Sequence, residues 1–220
     1  MIIAFHNSKG GVGTTMLAAH MCELARELGL RVVAVSSTTG DGLLTWYEPE
    51  TPSVDFDPES SGVAMDLMVI DVRSDGEPPI APDVWVLPIC ERLSFENAAE
   101  LSDRLRGHLI WLGNKGYAIE AVPKYLEDDV EVGLTVPYSR ALVRASSMRR
   151  VVWNVPELAR SPGARAVQVS LDNILRCAHS AVGLTLELVI ERARARIGRA
   201  SVARALRRWA WIRVDSAPWC

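Results

Sequence analysis

The chain has 220 residues, 49% of them apolar, and a net charge of −3. That length suits one domain with a full core, and that composition excludes intrinsic disorder. The charge is uneven: residues 187–220 hold eight Arg against Glu187, Glu191 and Asp215, so this tail carries +5 and the rest of the chain −8. An acidic body with a basic tail points to an anionic partner, nucleic acid or a membrane surface, or else to a solvated helix face.

Cys22, Cys90, Cys177 and Cys220 share no CxxC or metal-ligand spacing. Cys22 and Cys90 lie in apolar stretches and read as small core residues. No signal peptide is evident, and no stretch reaches the roughly 18 unbroken apolar residues of a membrane span. The expectation is a cytoplasmic protein in a reducing compartment.

In chain order, the short apolar runs are IIAF (2–5), VVAV (32–35), LMVI (67–70), VWVLPI (84–89), LIWL (109–112) and VGLTV (132–136). They are β-branched and barely alternate, as strands buried on both faces should be. Helical patterns lie between them. Residues 15–28 put Leu17, Met21, Leu24 and Leu28 on one face, and residues 94–106 do the same with Phe95, Ala98, Leu101 and Leu105. Strands alternating with helices predict a doubly wound α/β fold, with a mainly parallel sheet covered on both sides.

The Pro- and Ser-rich stretch 48–62 reads as a surface loop. Beyond 139 the pattern is helical, over 139–150, 164–181 and 184–208. Ser161 ahead of Pro162 marks the start of the middle one. The last segment, 207–220, has no clear period and reads as a frayed end or a strand. No internal repeat is present. Residues 1–186 form the predicted main domain, and 187–220 a basic helix and tail packed on it.

Chemistry concentrates in HNSKGGVGTTMLAAH (6–20). A strand, a glycine-rich turn and a helix are the setting of a phosphate-binding loop. Gly10, Gly11 and Gly13 let backbone N–H groups, that of Val12 among them, curl round phosphate oxygens. The helix beginning near Thr14 adds the positive end of its dipole. Thr15 occupies the slot whose hydroxyl binds Mg²⁺, but Thr14 stands where such loops carry a phosphate-gripping lysine.

SKGGVGTT resembles the deviant Walker A box of the ParA/MinD family of P-loop ATPases, with an atypical loop as in its pilus-localisation members. The resemblance continues in order along residues 1–160. DLMVIDVRSD (66–75) looks like Walker B, ending in Asp71 as a Mg²⁺ residue. LIWLGNK (109–115) resembles the strand whose asparagine, Asn114, reads adenine. VGLTVPYSRALVRA (132–145) is similar to the strand and turn that set Pro137 beside the base. What this implies is a nucleotide-dependent homodimer that binds ATP and Mg²⁺, with Lys9 reaching across to the partner's nucleotide. It also implies an unidentified cargo or activator protein.

A second departure lies in RVVAVSSTTGDGLLTW (31–46). With LLTW fixing the register, Ser36 falls at the family's water-positioning aspartate and Thr38 at the next. Asp41 is the nearest carboxylate, displaced by three to five residues, and is the catalytic candidate only with a local insertion. Binding is therefore expected and hydrolysis expected to be weak or absent.

SRALVRASSMRR (139–150) reads as a short helix with a basic side formed by Arg140, Arg144, Arg149 and Arg150. The family binds DNA non-specifically through basic surface residues, and these are the candidates here, or else an ordinary solvated face. The tail admits three readings. Leu188, Ala195, Val202, Leu206 and Trp209 form a stripe for packing on the domain; its Arg suit DNA; and Arg with Trp209, Trp211 and Ile212 has the composition of a membrane anchor.

Overall fold

Six short strands run the same way, with their carboxyl ends on one edge of the sheet. They are β1 (Ile2–Phe5), β2 (Val32–Ser36), β3 (Leu67–Asp71), β4 (Val84–Ile89), β5 (His108–Gly113) and β6 (Glu131–Thr135). Their order is β2-β3-β1-β4-β5-β6, and every neighbouring pair is parallel. The computed structural model describes residues 1–37, 42–46, 65–115 and 131–197. The surface loop expected at 48–62, Thr38, Asp41, Val202, Leu206, Trp209, Trp211, Ile212 and the segment 207–220 lie outside those residues.

Because successive side chains leave a strand on opposite faces, β1 to β5 each feed two cores. Ile3, Phe5, Leu67, Val69, Val84, Val86, Ile110 and Leu112 pack with α1 (Thr14–Glu27) and α4 (Pro162–Ala181). Ala4, Met68, Ile70, Trp85, Leu87, Ile89 and Trp111 pack on the other face with Ala98 of α2 (Arg92–Ser102). Burial on both faces explains why these strands read as unbroken apolar runs.

The helices start where local hydrogen bonding tells them to. Glu91 and Ser94 form a reciprocal capping box, which opens α2 two residues ahead of the apolar period. That helix stops at Ser102 rather than at 106, leaving Leu105 to close a turn on the carbonyl of Leu101. Ser139 caps α3 (Arg140–Ser147), accepting the Ala141 N–H at 3.2 Å. The chain then leaves this helix through Arg149, at φ 50°. Ser161 caps α4, accepting the Ala164 N–H at 3.2 Å.

α5 (Leu186–Ile197) corrects one expectation. Its buried stripe is Leu186, Ile190 and Ala193, whereas Leu188 and Ala195 are exposed. The positions 186, 190 and 193 follow the true helical period, and stepping in sevens from 188 picks a face about 200° round the helix. Cys22 is in the core as expected, but Cys90 is only half-buried, because it lies just past the end of β4 where the sheet opens to the site.

β1 sits between β3 and β4, so the chain winds away from it in both directions. The crevice beyond the carboxyl ends of strands at such a reversal is where ligands bind in doubly wound sheets. The loop after β1 lies there.

Candidate nucleotide site

Residues 6–13 join β1 to α1, and two groups of donors hold them in place. At the near end the buried Asn7 donates its side-chain amide to the carbonyls of Pro88 (2.8 Å) and Ser94 (3.1 Å). Its oxygen accepts the Lys9 N–H at 2.8 Å. At the far end Asn114 Nδ2 donates to the Val12 carbonyl at 2.7 Å, and Lys115 Nζ donates to the Gly11 carbonyl at 2.6 Å. In a trans peptide the carbonyl and the next N–H point opposite ways. Holding the Gly11 and Val12 carbonyls toward the end of β5 therefore turns the N–H groups of Val12 and Gly13 to the opposite side.

Gly13 is required twice over. It caps α1 at φ 97°, a left-handed conformation, and a Cβ there would lie 2.6 Å from Asn114 Nδ2. The helix has no side-chain cap and no acidic residue in its first turn. Its N–H groups and dipole are left for an anion.

Thr15 Oγ1 donates to Asp71 Oδ2 at 2.7 Å, and Asp71 also hydrogen-bonds the backbone of Leu43. Burial holds the Asp71 carboxyl above its ordinary pKa, against the pull of the Thr15 and Leu43 hydrogen bonds. A buried carboxylate beside a hydroxyl is a hard-oxygen pair short of positive charge, and it fits Mg²⁺. Among the described residues no cluster of three His, Cys, Asp or Glu could hold a metal ion. Mg²⁺ here would depend on Thr15, Asp71, water and phosphate oxygens.

The other candidate residues divide by position. Gly11, Gly13, Thr14, Thr15, Asn114 and Pro137 line one cavity of about 400 Å³, together with Trp46, Lys115 and Tyr138. Gly10 is exposed at the loop's outer turn, and Val12 is buried under it. Lys9 is ion-paired with Glu91, whose hydrogen bond is the main reason its ammonium pKa is raised. Ser36 ends β2 in register with Asp71, and the Ser37 N–H bonds the Asp71 carbonyl at 3.0 Å. Ser36, with a hydroxyl in place of a carboxylate, is thus the cross-strand partner of Asp71 where the resemblance puts an aspartate. Arg140, Arg144, Arg149 and Arg150 are all exposed, but only Arg140 and Arg144 lie on α3, because the helix ends at Ser147 and the chain turns out of it at Arg149; Leu142 and Val143 of that helix line the cavity.

Asn114, 2% exposed, has its amide engaged with the loop and its Oδ1 with the Lys115 N–H at 2.9 Å. One amide hydrogen and one lone pair remain for a base. Sequence reading passed over Asn7, Lys115 and Trp46. Lys115 directly follows Asn114 and Trp46 ends the LLTW register mark, but nothing local signals that Lys115 bonds the loop or that Trp46 lines the cavity.

No protein-family model matches the chain, and no curated protein matches it in sequence. Solved structures do. The septum site-determining protein MinD of Pyrococcus horikoshii OT3, complexed with Mg-ADP, is 15% identical over 82% of this chain and 98% of its own, at a TM-score of 0.60. A MinC:MinD cell division complex of Aquifex aeolicus gives 14% identity, 79% and 95% coverage and a TM-score of 0.55. A plasmid partition protein of Borrelia burgdorferi B31 bound to AMPPNP gives 12%, 80%, 98% and 0.54. At such identities the likeness establishes the fold: a P-loop α/β fold of the ParA/MinD type.

Proposed function

We propose that this chain is an ATP-binding positioning protein of the ParA/MinD kind, in which nucleotide acts chiefly as a structural ligand. One observation carries the reading. The loop amides are held ready by Asn114 and Lys115, and the helix end and the Thr15–Asp71 pair are intact, whereas Thr14 and Ser36 supply neither cation nor carboxylate. Bound Mg²⁺ would neutralise phosphate charge. The chain's own part is to seat the phosphates on the loop and to hold Asp71 beside them.

ATP would promote a symmetric homodimer, with Lys9 exchanging Glu91 for the partner's nucleotide. The dimer would segregate or position a cargo such as a plasmid, a chromosome region or a protein assembly. It would bind DNA through Arg140, Arg144, Arg149 and Arg150 without regard to sequence. The nucleotide carried by two of the solved neighbours, and the partner protein in the third, support this direction. The losses at Thr14 and Ser36 also favour a second reading, a pseudo-ATPase scaffold acting through partner binding alone. A membrane-associated regulator of the MinD kind is the remaining alternative, resting on the composition of the tail.

Calorimetry and thermal melts with ATP and Mg²⁺ test the proposal. Saturation to a hundred times Kd stabilises the fold by about 2.7 kcal/mol through linkage, and sedimentation shows a dimer that Lys9→Ala weakens. No response at millimolar ATP and Mg²⁺ would overturn it.

A further inference from the structure

The cavity beside the loop is too apolar to be explained by phosphate. Past the glycines its walls include Met16, Trp46, Pro137, Tyr138, Leu142 and Val143. Its volume of about 400 Å³ falls in the range of small-molecule sites, where apolar walls hold the body of a ligand and a few polar groups orient it. Trp46 has the largest ring among them, and it is half-buried.

The ring is fixed from two directions. Trp46 ends the 3-10 turn Leu43–Trp46. That turn is pinned by fully buried Leu43, whose backbone bonds Asp71, and by Thr45 Oγ1 donating to the Gly42 carbonyl at 2.8 Å. Behind the indole stands His20, edge-on with ring centroids 5.8 Å apart and planes at 65°. His20 is itself immobilised: Nδ1 pairs with the Met16 carbonyl at 2.6 Å, and Nε2 accepts the Val152 N–H at 3.1 Å. An aromatic surface held this firmly loses little entropy when a flat ligand lies against it.

We propose that Trp46 is a specificity-determining residue, its indole being the stacking surface for the nucleoside base of the ligand whose phosphates sit on the loop. This rests on the nucleotide reading given above and adds to it: the site discriminates a nucleoside triphosphate from a bare polyphosphate, by a ring on the turn that also bonds the metal carboxylate.

The test titrates the wild-type chain, Trp46→Phe and Trp46→Leu with Mg-ATP and with Mg-tripolyphosphate by calorimetry. Indole emission is followed as the difference between wild type and Trp46→Phe. Stacking on an aromatic ring predicts about a tenfold loss of Mg-ATP affinity in Trp46→Leu, with most of it retained in Trp46→Phe. Tripolyphosphate affinity stays unchanged in all three, and Trp46 emission responds to Mg-ATP alone. Equal weakening of both ligands in Trp46→Leu, or Mg-ATP binding indifferent to the ring, would overturn the proposal while leaving the phosphate site standing. Wild-type protein that binds tripolyphosphate as tightly as ATP would do the same. A wild-type chain that binds neither ligand overturns the nucleotide reading as well.

Discussion

Thr14 offers a hydroxyl at the point where a lysine would bring an ammonium to the β- and γ-phosphates. Where an arginine finger supplies a cation to phosphoryl transfer it is worth about 10³–10⁵ in rate, which sets the scale for a missing charge, and Ser36, in register with Asp71, cannot orient water as a carboxylate would. Thr14→Lys should therefore tighten triphosphate binding in calorimetry yet add little phosphate release. Combined with Ser36→Asp it should restore more turnover than either change alone. Robust turnover by the unmodified chain, abolished by Asp41→Ala, would instead make Asp41 the catalytic carboxylate. His20 gives a pH signature at the same scale. Complete burial drops its pKa from 6.5 to about 4. The unfolded chain then binds a proton that the folded one refuses, so this share of stability is whole above pH 6.5 and is lost as pH falls toward 4. It amounts to about 3 kcal/mol. His6 and His179 are lowered in the same direction by burial and steepen the loss. Urea melts from pH 7.5 to 4 should show the decline, and His20→Gln, which keeps one donor and one acceptor, should flatten it.

Among the elements, the start of α4 is packed on the start of α3, with Gly163 against the cap residue Ser139. A Cβ on Gly163 would fall 2.5 Å from Ser139 Cβ, and being fixed to the backbone it cannot turn aside. Gly163→Ala should separate the two helices and disturb the Ser139 cap, at about 1–3 kcal/mol, seen as a lower melting temperature. The Ser161 cap was legible in sequence because it is local: a serine before Pro162 announces a helix start by itself. β1, β3, β4 and β5 were legible because burial on both faces leaves an apolar run that needs no partner to be recognised. The stripe of α5 was misread in phase rather than in period: Leu186 and Ala193 are themselves seven residues apart, so sevens counted from Leu188 keep the spacing but follow the wrong face. The clamp on the loop was not legible at all. Asn114 and Val12 are 102 residues apart, and Asn7 and Pro88 are 81. No local pattern records a hydrogen bond made across the sheet; an asparagine at a strand end looks like a turn former or a base reader alike.

For the molecule as a whole, the charge distribution sets how an anionic partner would be met. The body is acidic, and Arg140, Arg144, Arg149 and Arg150 are exposed on and just after α3, the helix whose Leu142, Val143 and Ser146 line the cavity. If these four each displace a counterion from duplex DNA, log affinity should fall against log salt with a slope of about −3.6. Fluorescence anisotropy with duplexes of unrelated sequence, ATP and Mg²⁺ present, should give one curve for all. Arg140→Gln with Arg144→Gln should halve the slope, and a flat response would make the four arginines ordinary surface charge.

The placement of β1 also has a consequence in time. Its two neighbours begin at Leu67 and Val84, and the donors that shape the loop after it are Asn114 and Lys115. During synthesis at roughly 5–20 residues per second, the loop therefore waits about 5–20 s from its own appearance to that of Asn114. Until β3 is made the future centre of the sheet has both edges unsatisfied, and until β4 is made it has one, the condition in which nascent chains recruit chaperones or find one another. Nucleotide cannot shorten the wait, since the amides it would grip are not yet aimed. The loop is translated early and takes its shape late.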